Sequence, residues 1–272
     1  AELHEYREKL EQLVSDRTAD LQAANRELVA FTYSASHDLR APARSVIGFG
    51  EALLEEYGDR LDEPGLDYLA RILRAGQRMT QLVDDLLQLS KVTRAPVRRI
   101  PVDVSVLAQA ALDDLSTTEP DRSVEISVQP GIIVPGDPQL LRLLVENLVA
   151  NAWKYTRGST PGRIDMGHYL REGRHHCYVR DNGTGFDPRH AGKLFQPFQR
   201  LHNDQEFEGS GIGLATVRRV VERHRGSVWA EGALGQGATF WFSIPEHGDL
   251  PPPADDLDHD PLLVPPPGGV DR

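Results

Sequence analysis

The chain has 272 residues, 39% of them hydrophobic and 26% charged, and a net charge of −11. That composition fits a globular protein of one large or two modest domains, and the acidic balance excludes a duplex-wide electrostatic footprint for nucleic acid. A single cysteine, Cys177, excludes an internal disulfide and fits a reducing, cytoplasmic compartment. No apolar run reaches the roughly 18 residues of a membrane span, and no secretory leader pattern is visible.

Residues 1 to about 57 carry one helical pattern. Leu3, Tyr6, Leu10 and Leu13 keep a heptad spacing, and the seam then shifts to Val14, Leu21, Leu28 and Ala35. Such a phase jump is a stutter. A solvated helix with one packed stripe would show it, and so would a parallel coiled coil over residues 1–30 that joins two subunits. The polar character of the other faces favours the coiled coil. Because the chain opens in mid-helix, it reads as the later part of a longer protein with a sensor upstream.

Within this helix lies Tyr33-Ser34-Ala35-Ser36-His37-Asp38-Leu39-Arg40-Ala41-Pro42. A carboxylate beside an imidazole, Asp38 beside His37, fixes its tautomer and raises its basicity. Arg40 falls about one turn further on, where a guanidinium meets incoming phosphate charge. Pro42 lacks an N–H, which predicts an unpaired Asp38 carbonyl and a bent axis. Alone, the segment is ambiguous, since a helical His is usually a surface or core residue.

The stripe continues through Val46, Ile47, Phe49, Leu53, Leu54 and Tyr57. Turn residues at 58–60 and 63–65 separate it from a second amphipathic run, Leu66 to Leu89. Two such helices make an antiparallel hairpin over residues 31–94, and two hairpins pair into a four-helix bundle to bury both stripes. Residues 95–101, rich in Pro and Arg, read as a linker.

From 102 to 246 the pattern is mixed. Helices are predicted at 105–115, at 138–155 behind an Asp137 N-cap with Pro138 at N1, and at 211–224. Strands are predicted at 123–128, 163–170, 175–180, 227–231 and 238–244 by alternation. Helices on a mostly antiparallel sheet give an α+β layer. Residues 247–272 are proline-rich and acidic and read as a disordered tail.

Three stretches of this region bear on chemistry. Asn147, Asn151, Lys154 and Tyr155 share one helix face, either a polar outer face or a cradle for hydrated Mg²⁺ and a polyphosphate. Asp181-Asn182-Gly183-Thr184-Gly185-Phe186 follows a strand; it is a plain turn, or a place where backbone and carboxylate meet a flat ligand. Gly209-Ser210-Gly211-Ile212-Gly213-Leu214 opens a helix, where N–H groups and dipole favour phosphate. It is neither a Rossmann nor a Walker pattern. His175-His176 lack partners at metal-ligand spacing, and His4, His190, His202, His224, His247 and His259 read as solvated.

In this order, with His37 upstream, the stretches resemble the sensor histidine kinases of two-component signalling across roughly residues 15 to 246. His37 to Pro42 matches the phosphoacceptor box, Asn147 to Tyr155 the asparagine box, and Asp181 to Phe186 and Gly209 to Leu214 two glycine boxes. Phe195-Gln196-Pro197-Phe198 matches the phenylalanine box and Gly235 to Phe240 the last glycine box. The resemblance implies an α+β sandwich of the Bergerat ATP-binding type behind a homodimeric bundle. It implies ATP and Mg²⁺ as cofactors and a response-regulator receiver domain as partner.

Residue by residue, it implies His37 as nucleophile and Asp38 as its base, with Arg200 in a lid at 199–208 stabilising transferred charge. Asn151 would hold Mg²⁺, supported by Asn147, while Lys154 and Tyr155 touch phosphates or the nucleotide rim. Asp181 would read the adenine amine, with room made by Gly183 and Gly185. Gly209, Gly211, Gly213 and Leu214 would flank the phosphates, and Thr239 would help hold the purine. Ala41 stands where dual-function members carry Thr or Asn, which implies weak phosphatase activity. The run from Arg17 to Leu21 is similar to kinases with PAS or bacteriophytochrome-type sensors upstream. Two rivals share the pattern: an ATPase clamp, whose family carries Glu at the place of Asn147, and a degenerate kinase acting as scaffold.

Overall fold

The computed structural model describes residues 2–92, 97–171, 174–199 and 209–246; along much of the first helix, His37 included, it describes the backbone alone. Helix α1, Glu2–Tyr57, runs unbroken through Pro42. A 3-10 turn at Gly58–Arg60 reverses the chain into α2, Glu63–Val92. The hairpin closes tightly because small residues face large ones. A Cβ on Gly76 would stand 2.8 Å from the Ile47 side chain, and one on Gly50 would stand 2.7 Å from Leu73. Leu69, Val83 and Leu87 are buried in the seam, yet Leu39, Val46, Phe49, Leu53, Tyr68 and Ile72 stay exposed on its outside.

The second half begins with β1, Ile100–Asp103, and α3, Val104–Thr118. Next come β2, Val124–Val128; β3, Ile133–Gly136; and α4, Pro138–Tyr155. Strands β4, Gly162–Arg171, and β5, Arg174–Asp181, lead to a 3-10 stretch at Pro188–Lys193. Helix α5, Gly213–Arg223, and strands β6, Ser227–Gly232, and β7, Ala238–Pro245, complete the described chain. Five strands form one sheet in the order β2-β4-β5-β7-β6, antiparallel except for β2 against β4. Leu112, Leu144, Leu148, Ile164, Met166, Val217 and Phe242 belong to the core between that sheet and the helices.

Three expectations need correction or limits. The linker does not extend to residue 101, because Ile100 and Pro101 belong to β1, which pairs antiparallel with β3. His224 is not solvated: it is 1% exposed, and its Nε2 accepts from the Asp137 N–H at 3.0 Å while Nδ1 donates to the Val220 carbonyl at 2.8 Å. Those two bonds require the neutral Nδ1–H tautomer, and burial holds the imidazole's pKa below its ordinary value. The tail at 247–272 and most of the lid lie outside the described residues. Among the described residues no helix is long and apolar enough to cross a membrane.

Candidate active site

Helix α4 places the amides. Asp137 caps it, its Oδ1 accepting from the N–H groups of Gln139 and Leu140 at 3.1 and 3.2 Å, and Pro138 at N1 needs no partner. Leu141, Leu144, Leu148 and Ala152 bury one side. The helix can then turn only one way, which leaves Asn147, Asn151, Lys154 and Tyr155 half-buried on a shared flank. Glu146 points away, exposed, 3.9 Å from Arg142.

That flank meets the glycine loop. Asn147 donates from Nδ2 to the Leu143 carbonyl at 2.8 Å, which turns its Oδ1 toward the start of α5; a Cβ on Gly213 would stand 2.6 Å from it. Lys154 Nζ lies 4.3 Å from the centre of the Tyr155 ring and 3.2 Å from where a Gly209 Cβ would be. Helix α5 has no side-chain cap. Its first N–H groups therefore point, without intrahelical partners, at the space beside Asn147 and Lys154, a setting that favours an anion.

The third component follows β5. Asp181 is 4% exposed. Its Oδ1 accepts from the Gly183 N–H at 2.8 Å. Burial raises its carboxyl to about 6, against the opposing pull of the Gly183 and Ala238 N–H groups. The turn beyond is locked into its neighbours: Thr184 N–H donates to the Tyr155 carbonyl at 3.2 Å, and Gly235 N–H to the Thr184 carbonyl at 2.7 Å. Gly185 sits at φ +62°, where a Cβ would collide with the Ala233 carbonyl oxygen. Phe186 and Phe195 pack on Phe240, ring centres 6.4 and 6.5 Å away.

Thus the Asn helix, the Asp181 turn and the glycine loop converge, with Tyr155 and Lys154 as their common border. Thr239 does not join them. It pairs across the sheet with Arg180, and its hydroxyl accepts from Arg180 Nε at 3.4 Å. Side chains alternate along a strand, so Thr239 lies on the sheet face opposite Asp181. Ala238 is the residue opposite Asp181 and supplies the N–H. Leu214 is half-buried against the core rather than turned wholly to the loop. Sequence reasoning also missed Arg122, whose guanidinium bonds the Trp153 carbonyl and Thr156 Oγ1 and so fixes the end of α4. No local pattern flags it.

On the hairpin, His37 belongs to α1. Before it, Ser36 is 1% exposed; after it, Asp38 is exposed, and Arg40 is ion-paired with Asp84 of α2. Arg200 lies outside the described residues. The end of the hairpin touches the second half through the Arg223 guanidinium, which donates to the Val92 carbonyl. His175 has a partner after all: its Nδ1 lies 2.9 Å from Nε2 of His168 on the adjoining strand. Among the described residues no three metal-ligating side chains cluster.

Two regions match known families. Residues 27–95 match the His Kinase A (phospho-acceptor) domain, and residues 136–248 match the histidine kinase-, DNA gyrase B- and HSP90-like ATPases. Cyanobacterial phytochrome A of Nostoc sp. is 36% identical over 230 residues, covering 84% of this chain and 30% of the phytochrome. The phosphate regulon sensor protein PhoR of Pseudomonas aeruginosa is 33% identical over 230 residues, 82% of this chain and 51% of PhoR. The chain therefore spans about a third of the phytochrome and half of PhoR. The crystal structure of full-length ShkA in complex with AMPPNP matches with TM-score 0.57 and 27% identity, over 80% of this chain and 45% of ShkA. With a phospho-acceptor hairpin and an ATP-binding α+β domain both matched in that order, the chain belongs to the sensor histidine kinases.

Proposed function

We propose that the chain transfers the γ-phosphoryl group of ATP to His37 and then to an aspartate of a response-regulator receiver domain. One observation carries the reading. The polar flank of α4, the uncapped start of α5 and the buried Asp181 border a single space, with Asn147 Oδ1 2.6 Å from a Gly213 Cβ position and Lys154 Nζ 3.2 Å from that of Gly209. Such a space suits a purine at the carboxylate and a polyphosphate at the helix N-terminus.

Asp181 accepts from the exocyclic amine, with Gly183 and Gly185 shaping the turn around it. Gly209, Gly211 and Gly213 bring backbone N–H groups to the phosphates, and Lys154 adds a cation. The neutral, hard amide oxygens fit Mg²⁺: Asn151 would hold it and Asn147 would support it, and the ion supplies charge neutralisation between the phosphates. In the transfer, the imidazole nitrogen facing away from the backbone forms the new P–N bond. The bond to the β,γ-bridging oxygen breaks, ADP leaves, and the imidazole proton passes to Asp38. Arg200 is assigned to the charge on the moving group.

The hairpins form a homodimer. The exposed stripe of Leu39, Val46, Phe49 and Leu53 supports this, since a lone hairpin leaves it in water. The expected domain limits are 1–30 for the coiled coil and 31–94 for the phosphoacceptor hairpin, and the catalytic part expected at 102–246 is extended back to Ile100 by β1. An upstream sensor acts through α1.

Incubation with γ-labelled ATP tests the reading. Acid-labile label on the wild-type chain, absent from His37→Gln, supports it. Released phosphate with an unlabelled chain refutes it in favour of a clamp-type ATPase.

A further inference from the structure

Helix α4 ends against an arginine that stands 31 residues before Trp153 in the chain. Arg122 closes the turn after α3, its N–H donating to the Glu119 carbonyl at 3.2 Å. Its side chain is 13% exposed. The guanidinium lies over the Trp153 ring, 4.6 Å from the centre. It donates to the Trp153 carbonyl and, at 2.8 Å, to Thr156 Oγ1. The last carbonyls of a helix lack intrahelical partners, so an outside donor of this kind keeps the final turn from fraying. Glu119 steadies the guanidinium from the α3 side at 3.4 Å and bonds Arg157, just past α4, at 2.6 Å.

This end of α4 grips the turn that carries Asp181, and it does so in two places. Thr184 N–H donates to the Tyr155 carbonyl at 3.2 Å. Ser159 Oγ donates to the Asn182 carbonyl at 2.9 Å. Ser159 is itself held by its N–H on the Thr156 carbonyl at 3.0 Å. Thr156 thus stands between the two grips, 1% exposed, and it is the residue that receives Arg122. There is no slack on this side, since a Cβ on Gly183 would collide with the Tyr155 carbonyl oxygen. Gly183 N–H is in turn the donor that Asp181 Oδ1 accepts. A continuous set of contacts therefore leads from Arg122 through Thr156 to residues 182–184 and on to the Asp181 carboxylate.

We propose that Arg122 is a positioning residue for purine selection. By pinning the end of α4 it fixes the turn that aims Asp181, and so sets how strongly the site prefers adenine to guanine. The inference rests on the reading of Asp181 as acceptor of the exocyclic amine. Adenine presents an amine where guanine presents a carbonyl, an acceptor that a carboxylate repels. Such discrimination holds only while the polar group is held in place, because a misplacement of about 1 Å can cost about 100-fold.

The measurement is the ratio of dissociation constants for non-hydrolysable GTP and ATP analogues on the full chain at neutral pH. Arg122→Met keeps a side chain of similar length against Trp153 and removes every donor. It is expected to lower the ratio by about tenfold. Arg122→Lys keeps the charge without the planar fork, and its ratio is expected to fall between those of Arg122→Met and wild type. Gly131→Ala forces a side chain to positive φ in the turn between β2 and β3, and it is expected to lose stability while keeping the wild-type ratio. A wild-type ratio in Arg122→Met, or in Arg122→Lys should the first not fold, overturns the proposal. So does an equal fall in Gly131→Ala, which makes the loss one of stability alone. Asp181→Asn separates these failures from that of the underlying reading. A wild-type ratio in Asp181→Asn overturns the assignment of Asp181 and the proposal with it. A fall in Asp181→Asn beside wild-type ratios in the Arg122 variants overturns the role of Arg122 alone.

Discussion

Acid is expected to weaken nucleotide binding through one carboxyl group. Burial lifts Asp181 from the usual 3.8 to about 6, so near pH 5 about ten in eleven nucleotide-free chains carry it protonated. Protonation turns one carboxyl oxygen into a donor and leaves the other, already held by the Gly183 N–H, a weaker acceptor for the exocyclic amine. If only the ionised form binds, affinity at pH 5 relative to pH 7 falls by about tenfold, or about 1.4 kcal/mol. The measurement is a titration of an ATP analogue at several pH values, on wild type and Asp181→Asn in the same buffers. Titration of the phosphates is common to both and cancels in the ratio. The ratio should drop about tenfold toward pH 5. A ratio that stays flat from pH 5 to pH 7 refutes the assignment of Asp181 as the amine's acceptor. The same shift acts on folding with the opposite sign to an ordinary salt-bridged Asp. The folded chain holds the proton more tightly than the unfolded one, so the penalty is absent below pH 3.8 and complete above about pH 6. The rise corresponds to at most about 3 kcal/mol, and Asp181→Asn is therefore expected to stabilise the nucleotide-free chain at pH 7 and not at pH 4.

Two further substitutions test the architecture around the site. Gly185→Ala and Gly131→Ala both force a side chain to positive φ, but only the first meets a carbonyl; open space surrounds Gly131. Urea unfolding should show a loss of about 1 kcal/mol for Gly131→Ala and of more than about 3 kcal/mol for Gly185→Ala, and equal losses would contradict the crowding. His224→Leu orphans the Asp137 N–H and is expected to lower stability by about 2 to 4 kcal/mol at pH 7.5. Because burial lowers the folded imidazole's pKa, its contribution is complete above about 6.5, the unfolded value, and declines as pH falls through it. The gap between wild type and His224→Leu should therefore narrow in acid, and a gap that widens would show that the ring is charged in the fold.

The helices were legible because local rules governed them. Asp137-Pro138 announces its helix through a cap and a missing N–H, and both act as expected. The two-stranded β1–β3 ribbon was illegible for the same kind of reason. Pro101 suggested a linker, since proline removes a ladder donor. It stands opposite Pro135 in a ribbon where each strand has only one partner, so the lost donors weaken no central pairing. His224 was misjudged because its partner, the Asp137 N–H, is 87 residues upstream. At 239 a hydrogen-bonding side chain attracted the purine role, whereas strand parity decides the matter: Asp181 and Ala238 share a face and Thr239 takes the other. The parity was available in the sequence; the pairing register was not.

The glycines show how a correct motif conceals its physical reason. In sequence, those at 183 and 185 read as room for a flat ligand. In the fold, Cβ atoms there would strike the carbonyls of Tyr155 and Ala233, and one at Gly237 would strike the carbonyl of Asp181. The crowding is between parts of the chain itself. The turn after β5 is pressed between the end of α4 and the turn before β7, and glycine is what permits that contact. Gly209 and Gly213 differ, because their nearest neighbours are Lys154 Nζ and Asn147 Oδ1, polar side-chain atoms rather than backbone carbonyls. One set of glycines therefore assembles the frame that buries Asp181, and the other spaces Asn147 and Lys154, the groups proposed to meet the ligand. Damage to the first set should appear in the folding of the apo chain, and damage to the second in nucleotide affinity alone.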